Sequence, residues 1–274
     1  MDFSQTFILA IVQGITELFP ISSVAHSVLT PYVFNWNLDT AFLKEHFLPF
    51  MVMLHLGTAV ALLLFFGSEW TEIIKSLCKR DNQSRRLLYL ILAGTIPAAI
   101  IGFTLEKPLR FLFSNVTSAA FFLMVNGCLL YWGEKIRSKG VKTIQELSYK
   151  EAVIIGLFQS LALVPGFSRS GATITAGFTA GLKHSESVRF SMLLATPIII
   201  GAGILEVPKL LQTGLGDLLQ VAIVGGIASG IAAFLSVWLM MKWFHKNEIS
   251  AMRPFAWYCW IAGGLFLISQ FVSL

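Results

Sequence analysis

The sequence predicts an all-α polytopic membrane protein: six transmembrane helices plus two re-entrant helix-loop-helix hairpins, set out as an inverted-topology repeat. Three observations predict it. Hydrophobic residues make up 55% of the 274 and charged residues only 13%, about half the charge of a typical soluble domain. Apolar runs near the length needed to cross about 30 Å of hydrocarbon recur along the chain. Two of these runs are cut near their middle by proline and small polar residues, "FPISS" at 19–23 and "PGFSRSG" at 165–171.

Taken in order, the first element is the interrupted stretch 6–33. Each of its arms has about 12 residues, or roughly 18 Å of helix, only about half a bilayer. Pro20 marks the break, because proline lacks the helical N–H and its ring crowds the preceding turn. Three uninterrupted spans follow at 47–66, 88–105 and 117–133. A second interrupted stretch, 152–182, breaks at Pro165, and three more spans follow at 188–205, 218–241 and 254–272. The whole is one membrane domain, 1–274, with halves at 1–135 and 150–274. An odd number of crossings per half inserts the second half upside down, as in transporters whose sites lie at broken helices near the midplane. Identity between the halves is weak; aligning Pro20 with Pro165 matches Ser23 to Ser168 and little else.

Loop charges orient the chain. Loop 67–87 holds Lys75, Lys79, Arg80, Arg85 and Arg86, and loop 134–151 holds Lys135, Arg137, Lys139, Lys142 and Lys150. Loop 242–253 adds Lys242, Lys246 and Arg253, whereas the alternate loops hold only Lys44, Lys107, Arg110 and Lys209. Positive-inside bias places the rich loops in the cytoplasm and both termini outside. The first hairpin then opens outward and the second inward, their tips meeting in mid-membrane. The same bias accounts for the net charge of +5 without a nucleic-acid partner. Cys78, Cys128 and Cys259 form no disulfide or zinc pattern. Asp2, Gln13 and Glu17 spoil the N-terminus as a secretory signal.

Within the embedded segments the ionisable side chains are Glu17, His26, His55 and Arg169. Such residues are costly in hydrocarbon and usually face an internal cavity. Three of the four lie on the two hairpins. His55, alone on an apolar span, reads as a bland interior histidine. Gln13 and Glu17, four apart, share a face of the first arm. Ser22 and Ser23 follow the break, Ser22 also being placed to cap the second arm. His26 lies one turn beyond Ser23. A carboxylate, a hydroxyl and an imidazole so close can supply a base or metal ligand, a nucleophile and a proton carrier. The second tip has an anion-binding character: Gly166 and Gly171 permit close backbone approach, and Ser168, Ser170 and Thr173 offer hydroxyls. Arg169 offers a planar cationic fork beside a helix N-terminus. It is not a Walker loop, since the glycine spacing differs and no lysine follows.

These two stretches, "QGITELFPISSVAH" and "PGFSRSGAT", resemble the two signature motifs of the bacterial undecaprenyl-pyrophosphate phosphatases. The resemblance extends over the whole chain in length, hairpin placement and span count. It implies a multi-pass protein of the bacterial plasma membrane that removes the terminal phosphate of a polyprenyl pyrophosphate, regenerating the lipid carrier for cell-wall precursors. It further implies Glu17 as the essential acid, Ser23 as nucleophile, His26 as the motif histidine and Arg169 as the phosphate ligand. Gln13, Ser22, Ser168, Ser170, Gly171 and Thr173 then line the substrate. Gln13 stands where many members have glutamate, and Val24 and Ala25 where threonine and glycine are usual. The expected cofactor is a divalent ion, Mg²⁺ or Ca²⁺, bridging Glu17 (with Gln13) and the pyrophosphate. His26 as nucleophile with Ser23 as donor stays open, as does a homodimer. The rival reading is a transporter or flippase of polyprenyl phosphate.

Overall fold

The structure, a computed structural model, describes residues 1–39, 42–78, 81–109, 115–136, 140–212, 216–247 and 250–272. These residues form helices and turns with no strand: α1 (Phe3–Thr16), α2 (Ser23–Val33), α3 (Phe47–Phe65), α4 (Gly67–Ser76), α5 (Asn82–Leu109), α6 (Val116–Ile136), α7 (Tyr149–Gln159), α8 (Arg169–Thr179), α9 (His184–Gln212), α10 (Gly216–Lys246) and α11 (Arg253–Val272). Among the described residues five helices, α3, α5, α6, α9 and α10, are long and apolar enough to cross a membrane. The twenty-residue α11 occupies the position expected of a sixth.

Both interrupted stretches are broken helices. α1 and α2 are 14 and 11 residues long, and α7 and α8 are 11 each. Each arm therefore spans only about 16–21 Å. The first break runs from Glu17 to Ser22, with Asp2 capping the far end of α1 through a capping box. The second passes through a short 3₁₀ turn, Ser160–Leu163, and then Gly166, whose φ of +118° a side chain would strain. Loop 67–87 departs from expectation. It contains α4, whose apolar side buries Ile73 against the core while Ile74 stays exposed. Phe66 ends α3, and α4 begins at the next residue, Gly67.

Close helix packing rests on small residues, as in membranes, where van der Waals contact substitutes for a hydrophobic drive. α3 meets α10 where Gly57 faces the Gly226 carbonyl, and α7 meets α5 where Gly156 faces the Gly94 carbonyl; a Cβ at either glycine would overlap backbone. Some partners of the two halves correspond, although α8 packs on α9 and α2 does not pack comparably on α3. α1 packs on α10 as α7 packs on α5, and α3 packs on α9 and α6 on α11.

The basic loops gather at one end. Arg86 donates to the carbonyls of Gln145 and Leu147, 2.9 and 2.6 Å away, tying loop 67–87 to loop 134–151. Glu134 accepts from the amides of Ser250 and Met252, tying that end of α6 to loop 242–253. The open end of the second hairpin is there too, where Lys142 exchanges backbone bonds with Gly181 and Lys183. The open end of the first hairpin lies at the other end of α6, where Pro31, Tyr32 and Val116 share a cleft. Of the counted loop cations, Lys79, Arg80, Arg110, Arg137 and Lys139 lie outside the described residues.

Candidate active site

The two breaks meet in the interior. Asn126, fully buried on α6, donates to the Pro20 carbonyl and accepts from the Ser168 amide, each at 3.0 Å. One side chain thus satisfies a backbone group freed by each break, and both groups would otherwise be unpaired away from water. Ser170 adds a bond to the Phe19 carbonyl at 3.2 Å. Gly171 faces Pro20 so closely that a Cβ would press on it and on Leu130.

Beside this junction lies a cavity of about 360 Å³ whose wall includes Glu17, Ser22, Ser23, His55, Ser168 and Arg169. Its remaining wall is largely apolar, with Phe47, Met51, Ala98, Phe103, Ile198 and Leu205 among the contributors, and buried Glu206 at one edge, paired with Lys209. Helix α2 begins at Ser23 and α8 at Arg169. Two helix N-termini therefore start on one cavity, each with its positive dipole end.

Glu17 organises the polar wall. Its Oε1 accepts from Arg169 Nε and Nη2 at 3.2 and 3.1 Å. Its Oε2 accepts from the Ser23 hydroxyl at 2.5 Å and lies 3.2 Å from His55 Nε2. His55 Nε2 is also 3.3 Å from Ser23 Oγ. The other ring nitrogen, Nδ1, donates to the Met51 carbonyl at 2.7 Å. A carbonyl can only accept, so the proton of neutral His55 sits on Nδ1, and Nε2 is directed at Ser23 and Glu17. Arg169 is held in turn by the Ser191 carbonyl at 3.0 Å.

The structure thus brings together Glu17, Ser22, Ser23, Ser168 and Arg169 from the expected set, and it adds His55. His55, read from the sequence as a bland interior histidine, stands on the cavity wall beside Glu17 and Ser23. The sequence held a signal for it, an ionisable side chain deep in an apolar span, but no partner within one helical turn. Other expected residues stand behind the wall. Ser170 bonds Phe19, Gly171 packs on Pro20, and Thr173 bonds the Arg169 carbonyl and Ser191 Oγ. His26 turns away from Glu17; its Nδ1 donates to the Ser22 carbonyl and its Nε2 meets the Tyr258 hydroxyl, both at 2.7 Å. Asn126, Ser191 and Tyr258 gave no sequence signal, being ordinary residues on ordinary spans.

The donor set for a divalent ion does not assemble around Gln13 and Glu17. The Gln13 carbonyl oxygen accepts from Ser229 and Thr58, away from the cavity. Both Glu17 oxygens are engaged by Arg169, Ser23 and His55, two of them cationic or able to become so. Among the described residues no three His, Cys, Asp or Glu side chains cluster as ligands.

A protein-family model described as Bacitracin resistance protein BacA matches residues 6–265. A relative named Undecaprenyl-diphosphatase 2, from Oenococcus oeni, is 51% identical over 96% of this chain and 97% of its own. Another of that name, from Chromobacterium violaceum, is 45% identical over 99% and 100%. An Undecaprenyl-diphosphatase from Acidiphilium cryptum is 42% identical over 94% and 95%.

Proposed function

The chain belongs to the Bacitracin resistance protein BacA family, and from that membership we infer an integral membrane phosphatase acting on undecaprenyl diphosphate. It hydrolyses the lipid diphosphate to undecaprenyl monophosphate and phosphate, which recycles the carrier for cell-wall synthesis. The observation that carries a mechanism is the Ser23–Glu17–Arg169 constellation at the start of two helices on a largely apolar cavity.

In this mechanism the diphosphate enters head first and its lipid follows along the apolar wall. The anion competes with Glu17 for the Arg169 fork and is further held by the Ser168 hydroxyl and the α8 N-terminus. Ser23 Oγ attacks the terminal phosphorus. A bond from Oγ to phosphorus forms, the bond to the bridging oxygen breaks, and undecaprenyl monophosphate departs. The Ser23 proton passes to Glu17 Oε2 or His55 Nε2, both within reach in this geometry. Water then displaces Oγ from phosphorus, Ser23 recovers a proton, and phosphate leaves. Gln13 and Glu17 as arranged offer no shared seat for Mg²⁺ or Ca²⁺, and the steps are written with the chain's own side chains. An ion arriving with the diphosphate would find Glu17 as its carboxylate only after Arg169 let go.

The layout proposed is six spans and two re-entrant hairpins, related as inverted halves, in the bacterial plasma membrane. Both termini and the cavity mouth face outward. The corresponding packing partners of the halves and the gathering of basic loops at one end support this. A homodimer would leave the pocket intact in each protomer, since one chain supplies every residue of it.

The test is phosphate release from undecaprenyl diphosphate by protein purified in detergent, followed by locating a trapped phosphoryl group. Phosphoserine at 23 is expected. Release without any label at Ser23, with Ser23→Ala fully active, would refute the nucleophile assignment. The broken helices favour a second reading, movement of polyprenyl phosphate across the bilayer. That reading needs the anion site but no nucleophile, and it predicts no phosphate release in detergent.

A further inference from the structure

The mechanism gives His26 no chemistry, although it sits three residues beyond Ser23. We propose that His26 is a positioning residue. With Tyr258 it clamps the Ser22–Ser23 peptide in the conformation that presents the Ser23 hydroxyl to Glu17. The proposal rests on the reading of Ser23 as nucleophile.

Ser22 is the reason a clamp is needed. Its backbone adopts φ 67°, ψ 98°, a region that a residue with a Cβ rarely occupies. The residue is buried, and it immediately precedes Ser23, the first residue of α2. A relaxed Ser22 would rotate the following peptide and swing Ser23 Oγ away from Glu17 Oε2. Three hydrogen bonds oppose that relaxation. The Ser22 carbonyl accepts from the His26 amide at 3.2 Å and from His26 Nδ1 at 2.7 Å, and Ser22 Oγ accepts from the Ala25 amide at 3.3 Å.

The imidazole bond is the one that extends beyond the local turn. Because its partner is a carbonyl, Nδ1 carries a proton, and Nε2 is left facing the Tyr258 hydroxyl at 2.7 Å. The two rings lie nearly parallel, 12° apart, with centroids at 5.7 Å. Tyr258 belongs to α11, so a helix of the second half holds the break of the first through this imidazole. Both ring nitrogens are occupied and His26 is not part of the cavity wall. Neither nitrogen is placed to take the Ser23 proton or to attack phosphorus.

Asparagine can set its side-chain N–H near the place of Nδ1, whereas glutamine reaches the place of Nε2. Glycine at 22 adopts the left-handed region without strain. The experiment uses the full chain in detergent with undecaprenyl diphosphate, and wild-type turnover is measured first. That control tests the phosphatase reading by itself. Expected for His26→Ala and His26→Gln is a fall in kcat of about 100-fold with KM little changed, the scale of a misplaced reacting atom. His26→Asn should recover to within about 10-fold of wild type, Tyr258→Phe should fall in between, and Ser22→Gly added to His26→Ala should restore part of the lost kcat. The thermal midpoint reports the clamp without turnover: His26→Ala lowers it and His26→Asn brings it back. His26→Asn as inactive and as unstable as His26→Ala, or a phosphohistidine at 26, overturns the proposal.

Discussion

The Glu17 carboxylate and the Arg169 guanidinium, 152 residues apart, meet at 3.1 Å across the junction of the two broken helices. Two N–H groups of Arg169 converge on one oxygen of Glu17, which leaves the other oxygen to Ser23 and His55. Glu17 occupies the Arg169 fork, the group with which the proposed mechanism holds the diphosphate.

Replacing Arg169 with methionine should cost about 3–5 kcal/mol, because Glu17 is left buried without its counter-charge. Replacing both, Glu17→Gln with Arg169→Met, should raise the thermal midpoint above that of the single variant, while both stay inactive on undecaprenyl diphosphate. A double variant less stable than Arg169→Met alone would contradict the coupling. Arg169→Lys should also fail, since a lysine supplies a point charge rather than a fork.

Ser22 and Ser23 should separate cleanly. Ser23→Ala should lose on the order of 10⁴-fold or more in kcat, as nucleophile deletions do. Ser22→Ala removes the cap of α2, worth about 1 kcal/mol, and should keep measurable turnover. Equal loss from both substitutions would show that the backbone, rather than the Ser23 hydroxyl, is what matters.

His55→Ala should lower kcat by about 10²–10⁴-fold, the range of proton-transfer catalysts, with little change in KM. His55→Gln places an amide beside Glu17 but does not accept and return a proton, so it should stay impaired. Wild-type kcat in His55→Ala would return this histidine to the bland interior role read from the sequence.

Asn126→Ala should destabilise the protein by about 1–3 kcal/mol for each of the two backbone groups it leaves unpaired. Asn126→Asp, which keeps the acceptor for the Ser168 amide but lacks the donor for the Pro20 carbonyl, should be unable to restore the junction fully. Thermal midpoints of the purified variants decide this, and an Asn126→Ala protein as stable as wild type would remove Asn126 from the junction.

The sequence by itself determined the apolar helices, their order and the two breaks. A bilayer imposes a length and a hydropathy on each crossing segment, and the breaks fall where proline meets small polar residues, whereas Pro197 and Pro208 are carried inside apolar α9; both signals are local. It also singled out Glu17, Ser23 and Arg169, because polar groups in hydrocarbon need a reason to be there. Only the tertiary structure decided which of these groups meet. A membrane helix is apolar toward lipid and toward its neighbours alike, so α3, with its even apolar surface, marked His55 as an embedded ionisable group but gave no sign of which partners it meets. For the same reason Asn126, Ser191 and Tyr258 carried no signal, since each acts on a partner from a distant helix. His26 shows the converse. Its nearness to Ser23 in the chain suggested chemistry, but the turn of α2 directs its ring to Ser22 and Tyr258, and Glu17 takes up the Ser23 hydroxyl instead.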